Sequence, residues 1–213
     1  SLYFGGAYPV ALTGNNITSC GTGTLASVTS GVFLTGYGYS AAPLLTSSQT
    51  TIAFGDVTFF NSTAVTRGVA IGFAGQANNN GNDTITIGAN VLTAATADTG
   101  SIYFGANCGS GVTTGFWNMI FGDNNGVAVG ASWGNIVIGK SAGQTVGGSF
   151  AAARNLIIGY GADCDAGIGL GIAIGGGAIC KTANTAVFGG TISATTLFYF
   201  GLGAGLEIPI GKL

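Results

Sequence analysis

The chain has no histidine, one methionine, three prolines and twelve charged residues among 213. Each shortage excludes something. Without imidazole the usual general base near neutral pH is missing, and so is a frequent ligand of zinc sites. Five basic against seven acidic residues leave a net charge of −2 and no basic footprint, so nucleic acid is not an expected partner. The longest apolar stretch, Ala166 to Cys180, is interrupted by six glycines. It also falls short of the roughly 20 residues that span a bilayer, so no membrane insertion is expected. The sequence begins at Ser1 without a charged-then-apolar leader, which reads as a processed product or a piece of a longer chain. With 6% charged residues, a chain of this size is expected to bury surface against copies of itself.

Glycine, by contrast, is abundant at 41 residues. Many of these close one recurring phrase: apolar, any residue, apolar, glycine. It ends at Gly55, Gly72, Gly88, Gly105, Gly122, Gly130, Gly139, Gly159, Gly175 and Gly189. Ile52-Ala53-Phe54-Gly55 and Ile136-Val137-Ile138-Gly139 are typical. The first intervals are 17, 16, 17 and 17 residues, and the next two, 8 and 9, together span another such interval. A fixed period of this size means one structural unit laid down repeatedly. Alternating Val, Ile and Phe suit a half-buried strand, and glycine can turn the chain at φ > 0. No helical periodicity with caps is present. The expected fold is all-β, a β-solenoid (β-roll) of about 16-residue coils stacked by backbone hydrogen bonds about 4.8 Å apart. Residues 1–50 read as an irregular N-terminal β segment or diverged coils, 51–190 as the repeat array, and 191–213 as an exit strand or linker.

The phrases Val69-Ala70-Ile71-Gly72-Phe73-Ala74-Gly75-Gln76-Ala77, Leu156-Ile157-Ile158-Gly159-Tyr160-Gly161-Ala162 and Ile172-Ala173-Ile174-Gly175-Gly176-Gly177-Ala178 resemble the AIGxxA head repeat of YadA-type trimeric autotransporter adhesins. Similar repeats occur in bacteriophage tail fibres. The resemblance implies a left-handed β-roll with three chains side by side. It implies a structural, receptor-binding role on a virion tail fibre or at an extracellular cell surface. The partners would be the chain itself, as a homotrimer, and a host cell-surface glycan or protein. The head of a bacterial trimeric adhesin and a glycan-cleaving tailspike are the alternatives.

No enzyme activity and no cofactor are expected. Only seven acidic residues exist, and Asp163 and Asp165 are the only close pair, read as a solvated turn rather than a calcium site. Cys164 and Cys180 each follow a repeat glycine by five residues, which places them one above the other. Such a pair is open to a disulfide or to simple stacking of small buried side chains. Cys108 and Cys20 show no partner. No metal site is expected, since four ligands are wanted and histidine is absent. Arg67, Arg154 and Trp117 each precede a repeat glycine by five residues and so share one corner of the coil, while Trp133 follows Gly130 by three. These four are candidate receptor or inter-chain contacts. Asp56, Asp83 and Asp123 are candidate ion-pair partners for the arginines.

Overall fold

The computed structural model describes residues 2–4, 15–76, 78–126, 133–144, 154–165 and 167–189. Among them there is no helix, and fourteen short strands follow the chain. They are β1 (Leu2–Phe4), β2 (Asn15–Cys20), β3 (Val32–Tyr37), β4 (Gln49–Asp56), β5 (Val69–Phe73), β6 (Ile85–Ala89) and β7 (Ile102–Phe104). After these come β8 (Met119–Phe121), β9 (Ile136–Ile138), β10 (Leu156–Ile158), β11 (Asp163–Cys164), β12 (Ile172–Ile174), β13 (Ile179–Cys180) and β14 (Ala186–Phe188). Twelve of them form one parallel sheet in sequence order, and β11 and β13 form a second, two-stranded one. Consecutive parallel strands in one sheet, each a single turn from the last, make a parallel β-solenoid.

The winding is wider than the expected 16 residues. The register steps 17 residues at β2–β3, β3–β4, β4–β5, β6–β7, β7–β8 and β8–β9. It steps 16 at β1–β2, β5–β6 and β10–β12. The steps of 20 at β9–β10 and 14 at β12–β14 are taken up in the loops, because the strand register itself never slips. Strand β8 pairs directly with β9, so no rung of this sheet stands between them; Gly130 itself lies outside the described residues. Residues 15–50 are wound like the rest, with β2 and β3 continuing the same sheet. Residues 191–213 lie outside the described residues.

The repeat glycines stack as a column with φ between 117° and 139° from Gly21 to Gly189. Gly72 shows why glycine is required. Its φ is +125°, and a Cβ there would sit 2.1 Å from the carbonyl oxygen of Gly88 on the next rung. Other corners recur with φ near +50 to +60° on ordinary residues. One lies two residues after the glycine (Val57, Ala74, Asn90, Asn107, Asn124, Ser141), another four after it (Ala42, Phe59, Gln76, Leu92) and a third five before it (Thr50, Arg67, Asp83, Trp117, Arg154). The third corner leads straight into the strand. Rung-to-rung hydrogen bonds continue around the coil beyond the strands, as at Ala42 N to Thr58 O (2.7 Å), Phe59 N to Gly75 O (2.9 Å) and Leu92 N to Cys108 O (3.0 Å). These bonds satisfy backbone groups that irregular corners would otherwise leave unpaired.

The core lies inside the coils, in two apolar clusters. One gathers Ile17, Leu25, Val28, Leu34, Leu45, Phe59 and Val65 with four alanines. The other runs from Val91, Leu92 and Tyr103 to Cys164, Ala173 and Cys180. Between them along the chain lie buried Gln76, Asn79, Thr84 and Thr86, with Asp98 close behind. Sheet and opposite wall compensate in size. A Cβ on Gly36 would meet Thr24 and Leu25 side chains at 2.5 and 2.9 Å, while one on Gly109 would meet the Tyr103 ring at 2.5 Å.

Candidate functional site

The corner five residues before each repeat glycine is built by a recurring local device. The residue after it points inward, and before β7, β8, β9 and β10 it is Ser101, Asn118, Asn135 and Asn155, all buried. Each side chain caps the backbone of the next rung. Asn118 N donates to Ser101 Oγ (3.0 Å), Asn135 N to Asn118 Oδ1 (3.1 Å), Asn155 N to Asn135 Oδ1 (3.0 Å) and Gly171 N to Asn155 Oδ1 (2.8 Å). A buried polar ladder with its partners in place fixes backbone position. The outward residues of the corner therefore stand on a rigid support.

Along this corner the column reads Arg67, Asp83, Gly100, Trp117, Gly134, Arg154, Leu170 and Asn184, all with positive φ. Arg67 and Asp83 lie on successive rungs and form an exposed ion pair, Nη2 to Oδ2 at 2.6 Å with Nε bonded to Oδ1. The Arg67 hydrogen bond holds the Asp83 carboxyl below its ordinary range. Solvent screens an exposed pair of this kind, so it adds little to stability. Asp123 pairs instead with Lys140, at 3.6 Å.

Trp117 is 66% exposed and lies over Gly100, whose absent Cβ would be 2.6 Å from the indole. Trp133 is one residue ahead of this corner. Its phase follows Gly139 rather than Gly130, since it bridges Phe116, which in turn bridges Thr99. Phe116 and Trp133 are stacked, with centroids 5.9 Å apart and planes 15° apart. Trp117 stands edge-on to Phe116 at 5.4 Å and 89°. The Arg154 guanidinium covers Trp133 at 5.0 Å from the ring centroid. The structure thus brings Trp117, Trp133 and Arg154 together and adds Phe116, whose place in the cluster sequence spacing missed. Arg67 lies further along the same corner and is engaged by Asp83. Among the described residues no carboxylate pairs with Arg154.

Cys164 and Cys180 are register partners in β11 and β13, both fully buried and both with free thiols. The structure shows the two side chains stacked on successive rungs with no bond between the sulfurs. A rung spacing of about 4.8 Å lies within the Cα separation a disulfide spans, and no S–S bond is present here. Both sulfurs crowd Gly171 instead, each 3.0 Å from where its Cβ would be. Burial pushes the Cys164 thiol up to about 12, and that of Cys108 likewise. Neither is an activated nucleophile. Asp163 receives the backbone N–H of Cys164 at 2.8 Å, and burial raises its carboxyl to about 6. Among the described residues no group of three or more cysteine and carboxylate side chains is placed to hold a metal ion.

The outer surface of the twelve-stranded sheet is the other feature without a structural account inside one chain. One outward column holds Ile52, Val69, Ile85, Ile102, Met119 and Ile136 on successive rungs. The other holds Tyr37, Phe54, Ile71, Ile87, Phe104 and Phe121, with Tyr37 stacked on Phe54 at 5.1 Å and Phe104 on Phe121 at 6.2 Å. No charged residue occupies either column on any rung. No family model, no curated protein and no solved structure matches this chain.

Proposed function

We propose that the chain is a structural and receptor-binding segment of an extracellular fibre, of the kind that bacteriophage tail fibres provide. In this reading three copies pack side by side through the outer faces of their twelve-stranded sheets. The assembled shaft then displays its remaining surfaces to a host cell.

The observation that carries this reading is the uncharged apolar sheet face. Twelve strands at about 4.8 Å spacing extend about 50 Å, and three residues of strand are about 10 Å wide. The strip is on the order of 500 Å² in projection, at the upper end of what a monomer leaves exposed. The opposite walls are different in kind. They carry hydrogen-bonded Thr and Asn side chains, such as Thr29 Oγ1 to Thr46 O (3.1 Å), Thr46 Oγ1 to Thr63 O (3.2 Å) and Asn61 Nδ2 to Asn78 Oδ1 (2.8 Å). Among the described residues the sheet columns form the longest continuous apolar surface, while exposed Phe33, Tyr39, Leu44 and Phe60 are scattered outside them. Obligate interfaces have the composition of these columns, and in a three-fold ring each copy meets its two neighbours through opposite edges of the face, a heterologous contact that closes.

The test is mass and shape in solution. Light scattering on the full chain is expected to give three chain masses, and electron microscopy a short rod. Phe104→Lys, on the exposed column, is expected to release monomers whose coils still melt cooperatively. A wild-type chain that stays monomeric at tens of micromolar overturns the reading.

A further inference from the structure

The Phe116–Trp117–Trp133–Arg154 cluster stands at the corner just before β8, β9 and β10, beside the apolar sheet columns rather than within them. The two sheet columns carry no charge, whereas the corner column carries Arg67, Asp83 and Arg154 within a chain that has only twelve charged residues. Both tryptophans of the molecule stand at or next to this corner. Phe116 is 42% and Trp133 36% exposed, so the aromatic surface is accessible rather than core.

Two details give the cluster a polarity. In the column, Trp117 is flanked by Gly100 on one rung and Gly134 on the other, so neither neighbouring rung covers the indole with a side chain. Beyond Gly134 stands Arg154, fixed over Trp133 and without an acidic partner among the described residues. Arg67, at the same corner, shows the alternative, since Asp83 neutralises it. The column neighbours of Arg154 are Gly134 and Leu170, and neither carries charge.

We propose that this corner is a binding site for an acidic saccharide. The apolar face of a pyranose ring lies on the exposed indole of Trp117. The sugar carboxylate pairs with the guanidinium of Arg154, a charge-assisted contact of the stronger kind. The Phe116–Trp133 stack and the inward Asn118–Asn135–Asn155 ladder position both groups before the ligand arrives, which lowers the ordering cost of binding. A sugar suits a shelf of this kind because ring stacking needs an aromatic plane and no cavity, whereas an extended peptide needs grooves for its side chains. The site deepens the fibre reading and rests on it for its strength, since three weak sites on one shaft gain avidity.

Because both tryptophans belong to the site, intrinsic fluorescence of the full chain reports it directly. Titration with a glucuronic-acid tetrasaccharide is expected to give a saturable change, with a glucose tetrasaccharide and oligoglutamate each at least tenfold weaker. Trp117→Ala is expected to weaken acidic-sugar binding at least tenfold. Arg154→Gln is expected to erase the preference for acidic over neutral sugar. Both variants are to be checked for unchanged mass by light scattering, which separates this site from the assembly. No saturable change with either sugar overturns the site while leaving the fibre reading intact. Equal binding of oligoglutamate also overturns it, because charge alone would then account for the contact. Tryptophans that become shielded from acrylamide when copies associate make the corner an inter-chain contact, and the proposal fails.

Discussion

The middle residue of each short strand and its two neighbours are built from similar amino acids but answer to different constraints. Middle residues face the coil interior and vary widely in size, from Ala53 and Ala70 through Thr86 to Tyr103, Ile120 and Val137. Each has to fit the wall opposite it. Their outward neighbours vary little, being Ile, Val, Met, Phe or Leu from β5 to β12. A flat, regular surface is what an equally regular partner requires, whereas the interior solves a local volume problem at every rung. The difference teaches that single-chain stability and assembly are separately encoded on two faces of one sheet. They should therefore be separable by mutation.

The largest expected effect comes from the glycine column, which belongs to neither face but holds both in register. In Gly72→Val a branched side chain would have to occupy space 2.1 Å from Gly88 O at φ +125°. The contact is with backbone of the adjacent rung, so it cannot be relieved by a rotamer change. A cost above about 3 kcal/mol is expected from the strained dihedral and the clash together. The check is circular dichroism and solubility, with loss of the cooperative melt as the expected outcome. A variant that melts like the parent would mean that register is set elsewhere.

Next in size is a matched pair on β8. Ile120 is fully buried, and Met119 beside it is 38% exposed. Ile120→Ala removes interior methylenes and leaves a cavity, with an expected loss of about 2–5 kcal/mol. Met119→Ala is expected to cost the isolated coil under about 1 kcal/mol and to raise the midpoint concentration for association. Chemical denaturation at low protein concentration measures the first quantity, and sedimentation measures the second. If the two substitutions shift the denaturation midpoint equally, the separation between faces is wrong.

The same separation explains what could be read from the amino acids alone. The period, the strands and the inward or outward alternation were legible because Ile-Val-Ile-Gly and its variants repeat both residue type and spacing. The shared corner of Arg67, Trp117 and Arg154 was legible because it keeps a constant distance to the glycine. The place of Trp133 beside Phe116 was not legible, because the phrase ending at Gly130 offers a second, competing phase for it. The left-handed corners at Val57, Phe59 and Leu92 were not legible, since these residue types seldom adopt positive φ and only the ladder holds them there. The Asn118–Asn135–Asn155 ladder left a faint signal, an Asn just before each strand, that the apolar phrase overshadowed. The stacking of Cys164 on Cys180 was legible because both keep the same distance from their glycines, whereas the approach of both sulfurs to Gly171 was not.

The smallest expected effect sets one aspartate inside the coil against one outside it. Asp98 accepts hydrogen bonds from Ser101 Oγ at 3.2 Å and Tyr103 Oη at 3.1 Å on one carboxyl oxygen, while its other oxygen is buried without a partner. Burial raises it from 3.8 to about 6, against the pull of those two hydrogen bonds. Asp83, outside, is lowered by Arg67. The signs follow by linkage. Between about pH 4 and 6 the folded chain keeps a proton on Asp98 that the unfolded chain has lost, so stability falls as pH rises through that window. Asp163, also raised to about 6 by burial, acts in the same direction. Asp83 contributes only at lower pH, where protonation removes its attraction to Arg67. For Asp98 alone the rise corresponds to at most about 3 kcal/mol. Thermal melting of the full chain is expected to be higher at pH 4.5 than at pH 7.5. Asp98→Asn should flatten that slope without abolishing it, since Asp163 remains, and Asp83→Asn should leave the slope in this window unchanged. A melting point that rises from pH 4.5 to 7.5 would mean that Asp98 is ionised in the folded coil, with water or a cation reaching its unpartnered oxygen.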